Sequence, residues 1–598
     1  MLPVEHLHLE HVLQTVSVLE SVILRSFGPE GGQVLFIRDT GQAMLSRSGT
    51  HILTALRLDH PLARMVVECV LKHSSVTGDG SKTFILLLAS LLRMIHTAAC
   101  KGTNVSHAYN SRKAAEAATA RHLADKLLAF ALEELADVIA MGVVPYGYCI
   151  SWEDFTAKTQ SPAHTNNNCV QKLLASFFLS RLGRTHCDFI SNLTCELLSH
   201  WKFKNNQPPF TLQFVNDNLP ALHTPVSGFP ISCSRLIEGQ VIHRDFATPC
   251  PQTDHHPVKA VVFTRYLQPK LLSAGEVLEL GYGEQGKERS IVQFSAWAER
   301  SLECVIANLQ SLGVSVILSA VKQSAAVLAL AAQADMCIVE CVSEDELSLF
   351  AQLSGARPAS DCWMIESDHV ATLTFCRPIL LGAHRYVFLS HPYSVQVKPC
   401  SLVICGPGEG QTDQYACAFR DAIHMLPSKR TLQSNKNTSL EMENQIASAP
   451  PFQKCVLEPG CVIPAGGTFE FLLNHALLQH HGRSCSVSDD TNMGIPAVSQ
   501  LLANVLLSLP RQIYSHSPRC FLQTQTRLLK ADVSSKVFML DLGLESVSCK
   551  YQLLLAVLQC VSSLLQVDAV LRTQTALRTQ SHRLPNISWE GTEDEAEE

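Results

Sequence analysis

The sequence predicts an α+β multidomain protein, helical towards both ends with a strand–helix region between. Three observations carry this expectation. The chain has 598 residues, more than one hydrophobic core organises. Apolar residues recur with helical spacing over 9–27, 83–96 and 112–141, and again through the final third. From about residue 231 the texture changes to short β-branched runs: "AVVFT" (260–264), "VSVIL" (314–318) and "MCIVECV" (336–342). Helical segments separate them, which is the pattern of parallel strands with crossover helices.

Taken in order, "QVLFIRDTGQAMLSRSG" reads as two short strands around a turn at Asp39-Thr40-Gly41. The stretches 143–168 and 427–450 are rich in polar residues and read as loops or insertions. The tail "EGTEDEAEE" reads as solvated and disordered over 589–598. Near the C-terminus, "YQLLLAVLQCVSSLLQV" (551–567) falls short of a bilayer span and carries glutamines, so it reads as a buried helix.

Composition narrows the function. Hydrophobic residues at 46% against 17% charged describe a globular chain. A net charge of −7 argues against a general nucleic-acid binder. The 22 cysteines include no C-x-x-C pair, which argues against a zinc ribbon or thioredoxin-type motif and suits a reducing cytosol. Cys337 and Cys341 read as one turn of a buried segment, and "HLHLEH" (6–11) as an exposed helix start. The N-terminus has no basic start before an apolar core, so no secretory signal is expected.

One stretch carries chemistry. "TGDGSKT" (77–83) places two glycines, a carboxylate, hydroxyls and a lysine where a helix should begin. Glycines let backbone amides turn inward, and a helix N-terminus adds its positive end, so together they can hold phosphate. Asp79 would repel phosphate unless a divalent ion sat between them, which reads as a metal ligand. The spacing does not fit a Walker A loop, because the residue before Lys82 is Ser81 and position 76 is Val. By itself the stretch could be a turn before a helix.

It has company. "SFGPEGGQVL" (26–35), "SRSGT" (46–50), "FRDAI" (419–423) and "IPAGGTFE" (463–470) follow in an order that resembles the group II chaperonins. So do "SRLIEGQVIHRDF" (234–246), the run 312–356, "SLVICGPGEGQTDQYACAFRDAIHML" (401–426) and the C-terminal helix within 544–571. Within that family, "TGDGSKTFILLL" and "LRLDHPLARMVVECV" are similar to the chaperonin-like Bardet–Biedl branch.

The resemblance implies a chaperonin fold: a helical equatorial domain from both termini, a split intermediate domain and a central α/β apical domain. The boundaries expected are 1–167 equatorial, 168–233 intermediate, 234–405 apical, 406–463 intermediate again and 464–598 equatorial. It also implies an ATP site with Mg2+ on Asp79. Gly78, Gly80, Ser81, Lys82 and Thr83 would surround the phosphates, with Gly28, Pro29 and Gly31 as the other wall. Gly466 and Gly467 would pack the nucleoside, and Asp421 would orient or deprotonate the attacking water. Three positions depart: Ser48 replaces an aspartate, Lys82 a threonine and Ala465 a glycine. Lys82 could grip phosphate or lie outward. Losing a carboxylate can remove several kcal/mol of transition-state stabilisation, whereas binding rests on the loops.

The expectation is therefore an ATP binder with slow or absent hydrolysis. As the resemblance implies, it would serve as an assembly chaperone for BBSome subunits, with its sibling chaperonin-like Bardet–Biedl proteins and the cytosolic chaperonin. Its place would be the cytoplasm, at the centrosome or ciliary basal body. Helices near 288–312 would offer apolar surface to clients, with Trp297 in packed core. A scaffold that binds no nucleotide and a true ATP-hydrolysing ring subunit remain as alternatives.

Overall fold

Helices from the two ends of the chain bury their apolar faces in one core. In this computed structural model the described residues are 4–28, 30–37, 41, 43–102, 109–149, 169–201, 208–249, 257–268, 284–392, 399–426, 461–484, 498–530 and 543–571. The helix Leu9–Leu24 turns Val12, Val16, Leu19 and Ile23 inward, the stripe that 3.6 residues per turn produces. It lies against Ser81–Gly102, whose Phe84, Ile85, Leu88 and Leu92 are fully buried. From the far end, Val547–Leu565 adds Leu554, Val557, Val561 and Leu564 to the same cluster. Two stretches, Ser81–Lys101 and Val547–Leu565, are long and apolar enough to cross a membrane, but here that composition fills a protein core. The run 112–141 forms two helices, Tyr109–Glu133 and Leu135–Gly142, joined at Glu134 without a Gly or Pro to mark the break.

A second core gathers the helices Cys169–Leu182, Cys187–His200, Pro208–Leu222 and Glu409–Met425 around Phe178, Trp201 and Phe419. Its sheet is centred on Cys400–Gly406, buried throughout, parallel to His223–Ser227 and antiparallel to Arg235–Glu238.

The middle of the chain forms a four-stranded sheet. Cys337–Val339, Val316–Ser319 and Val258–Phe263 run parallel, and Val370–Leu373 closes the edge antiparallel. Along one strand Ala260 and Val262 enter one cluster while Val261 and Phe263 enter another, so both faces are covered.

Three expectations change. Trp297 is not packed core; it is 60% exposed. The helix Glu284–Ser311 buries Leu302, Val305, Ile306 and Leu309, and continuing that stripe backwards reaches 298, one position off the tryptophan. Cys337 lies on a strand rather than a helical turn, with Cys341 beyond its end. The polar break expected from 143 begins later, because Val144–Tyr146 is a 3-10 turn and Tyr148–Cys149 pairs with Cys461 and Val462. Pro29, Asp39, Thr40, the stretch 427–450 and the tail 589–598 lie outside the described residues.

His391 follows the strand His384–Ser390, buried against the Phe350 ring at 5.4 Å, and neither ring nitrogen has a hydrogen-bond partner among the described residues. Burial lowers its pKa from 6.5 to about 4. The unfolded chain then takes up the proton first, so stability falls as pH drops through that interval. The variant His391→Phe should escape on the order of 2–3 kcal/mol of that loss. Denaturant midpoints at pH 7 and pH 4 measure it; equal losses in the two proteins would refute the assignment.

A candidate phosphate site between two cores

The helix Pro61–Thr77 begins with Pro in its first turn behind the His60 cap and ends on Gly78, left-handed at φ 69°. A Cβ on Gly78 would overlap the backbone carbonyl oxygen of Asp421, on the helix Glu409–Met425. Glycine is thus required both by conformation and by close approach. This contact joins the first core to the second. Gly80 is also left-handed, at φ 84°, and the helix Ser81–Gly102 starts at the next residue. Its N-terminal end and the loop border a cavity of about 710 Å3.

Gly28, Ser48, Asp79, Gly80, Ser81 and Thr83 line one side of the cavity. Gly466 lines the other, its carbonyl accepting from the Tyr514 hydroxyl at 3.0 Å. Gly467 packs instead on Pro510, and Gly31 folds against the Ser26 backbone, where a Cβ would come within 2.5 Å. Both shape the loops without lining the cavity. Gly78 stands at the joint, and Asp421 lies behind Arg181 with 18% of its side chain exposed. Ala465 stays in the lining despite lacking the expected glycine.

Lys82 points inward rather than outward. Its Nζ donates to the Ser26 carbonyl at 2.8 Å, beside Gly28. Burial, and then repulsion from Arg181, lower its pKa to about 7.

Arg181 is the functional residue that the sequence reading missed. It lies near the end of the helix Cys169–Leu182, which buries Leu174, Phe177 and Phe178 on the same stripe. A charge on an apolar stripe requires a partner, and that was the available signal. Its guanidinium donates to Asp421 Oδ2 at 2.8 Å and Asp79 Oδ1 at 3.3 Å. It also donates to the Gly78 carbonyl at 2.5 Å and to Ser48 Oγ at 3.2 Å. Three segments far apart in sequence therefore converge on one cation. Burial raises the pKa of Asp421 and Arg181 works against that rise. A carboxylate oxygen that accepts a charge-assisted hydrogen bond is less able to take a proton from water.

The cavity lining holds a second ionic group. Lys550 Nζ sits 2.9 Å from Glu470 Oε1 and 2.8 Å from Glu545 Oε2. Burial opposes the Lys550 charge, but Glu470 and Glu545 together outweigh it and raise its pKa. Burial in turn raises the pKa of Glu545.

A mixed helix–strand fold whose two chain ends share a core, with a G-D-G loop facing a distant aspartate, fits a chaperonin-type chain. Residues 19–145 match the TCP-1/cpn60 chaperonin family. The chain is a relative of those chaperonins. It is 27% identical to the BBSome complex assembly protein BBS10 of Mus musculus, over 94% of this chain and 96% of that protein. It is 26% identical to the same protein of Homo sapiens over equal shares. Thermosome subunit alpha of Archaeoglobus fulgidus is 20% identical over 71% of this chain and 69% of its own.

Proposed function

We propose that this chain is a chaperonin-like assembly protein that binds ATP and hydrolyses it slowly or not at all. The observation that carries the reading is the glycine-bordered cavity at the N-terminus of Ser81–Gly102, with Arg181 holding Asp421. Gly28, Gly80, Ser81, Thr83 and Gly466 of the loops that would bind phosphate line the cavity, whereas the groups that would activate water are altered or engaged. Ser48 contributes a neutral oxygen, and Asp421 accepts from a guanidinium. The similarity to BBSome assembly proteins across 94% of the chain supports BBSome subunits as clients. Sibling chaperonin-like proteins and the cytosolic chaperonin would be co-workers, in the cytoplasm near the ciliary base. The first core reads as the equatorial domain, the second as the intermediate and the four-stranded sheet as part of the apical domain.

Titration of the purified chain with ATP and Mg2+, with turnover followed in wild type and Asp421→Ala, tests the reading. Binding without Asp421-dependent turnover is the expected result. Robust turnover lost in Asp421→Ala would make the chain a working ATPase instead, and absence of binding would leave a scaffold.

A further inference from the structure

A divalent ion shared between Asp79 and Asp421 meets an obstacle in this chain, although half of the Asp79 side chain stays exposed. The Arg181 terminal nitrogens stand 3.3 Å from Asp79 Oδ1 and 2.8 Å from Asp421 Oδ2. Only 5% of the arginine side chain is exposed. The Phe177 ring lies 4.5 Å from the guanidinium carbon, and the Gly78 carbonyl and Ser48 Oγ accept from the same group. The cation is thus held by five neighbours. A magnesium ion bridging both carboxylates would need their oxygens at roughly 2.0–2.1 Å. It would then sit against a guanidinium that cannot lose its proton. The residues present do not fit a divalent ion bridging Asp79 and Asp421.

Resting on the phosphate-site reading above, we propose that Arg181 takes the place of such an ion. It supplies, from within the chain, one fixed positive charge set between the two carboxylates of Asp79 and Asp421, and the cavity accepts the polyphosphate of a nucleotide free of divalent metal. Lys82, also in the cavity lining, adds an amine that donates to the Ser26 carbonyl. Arg47 stands behind it, donating to the Gly31 carbonyl. An incoming polyanion therefore meets a fixed guanidinium where two bare carboxylates would repel it. The terminal N–H groups of Arg181 stay with Asp421, Asp79, Ser48 and the Gly78 carbonyl, so the guanidinium acts on the polyanion through its charge.

Calorimetric titration of the full chain with ATP, once in EDTA and once in excess Mg2+, tests the proposal. The two affinities are expected to agree within about threefold, because the chain carries its own counter-charge. The variant Arg181→Gln should lose at least about tenfold in EDTA, because its charge no longer offsets the two carboxylates, and recover with Mg2+. Electron paramagnetic resonance of Mn2+ should then show the ion held by Arg181→Gln and not by wild type. Wild-type binding that requires Mg2+ would overturn the proposal while leaving the phosphate site standing. No binding in either condition would overturn both. If Arg181→Gln does not fold, pairing it with Asp421→Asn removes the stranded carboxylate, and the wild-type comparison decides the question by itself.

Discussion

Lys550→Ala is expected to destabilise the chain by about 3–5 kcal/mol, the cost of breaking a buried ion group by removing one member. Glu470 is buried and Glu545 partly so, and both face the single ammonium at 2.9 and 2.8 Å. Without it, two carboxylates share a low-dielectric site and repel each other. The group also ties elements together, since Glu470 lies on the helix Thr468–Ser484, Glu545 on the strand Leu544–Ser546 and Lys550 on Val547–Leu565. Denaturant unfolding followed by helix content measures the loss. Neutralising all three residues, as Lys550→Met with Glu470→Gln and Glu545→Gln, should recover most of it, because no buried charge is then unpaired. A loss below about 1 kcal/mol for Lys550→Ala would mean that the group behaves as an exposed pair.

Gly78→Ala carries the second large effect, and Gly355→Ala is its control. Both glycines follow a helix in nearly the same left-handed conformation, φ 69° and φ 73°. A methyl on Gly355 meets nothing within 4 Å, whereas one on Gly78 overlaps the Asp421 carbonyl. The control should lose about 1 kcal/mol, the conformational cost alone. Gly78→Ala should lose about 2–4 kcal/mol, because overpacking adds to that cost. The clash would also push the G-D-G loop away from the helix carrying Asp421 and open the Arg181 contacts. ATP affinity should therefore fall by at least about tenfold, with no comparable change in the control. Equal stability losses in the two variants would mean that the two cores are not joined tightly at Gly78.

Much of the fold was legible because local periodicity and burial coincide. Val12, Val16, Leu19 and Ile23 face one way on any helix, whatever it packs on, and the β-branched runs after residue 231 suit strands of a sheet covered on both faces. Trp297 shows the limit of that reasoning: its size suggested core, but its position one residue off the stripe left it exposed. Residue type set the expectation and helical phase decided the outcome. Lys82 was ambiguous for a similar reason, since the direction of a flexible lysine depends on which carbonyl lies within reach, here that of Ser26.

The sequence by itself determined the G-D-G loop, the helix that follows it and the serine at position 48 where the resemblance expects a carboxylate. These are local properties, set by backbone sterics and residue chemistry. What only the tertiary structure decided is the charge balance of the site. Arg181 lies about a hundred residues from Asp79 in one direction and some 240 from Asp421 in the other, on a helix of the second core. No spacing rule connects groups so far apart. They meet because burying the apolar stripe of Cys169–Leu182 swings its one arginine into the gap between the cores, and a buried cation must find carboxylates there.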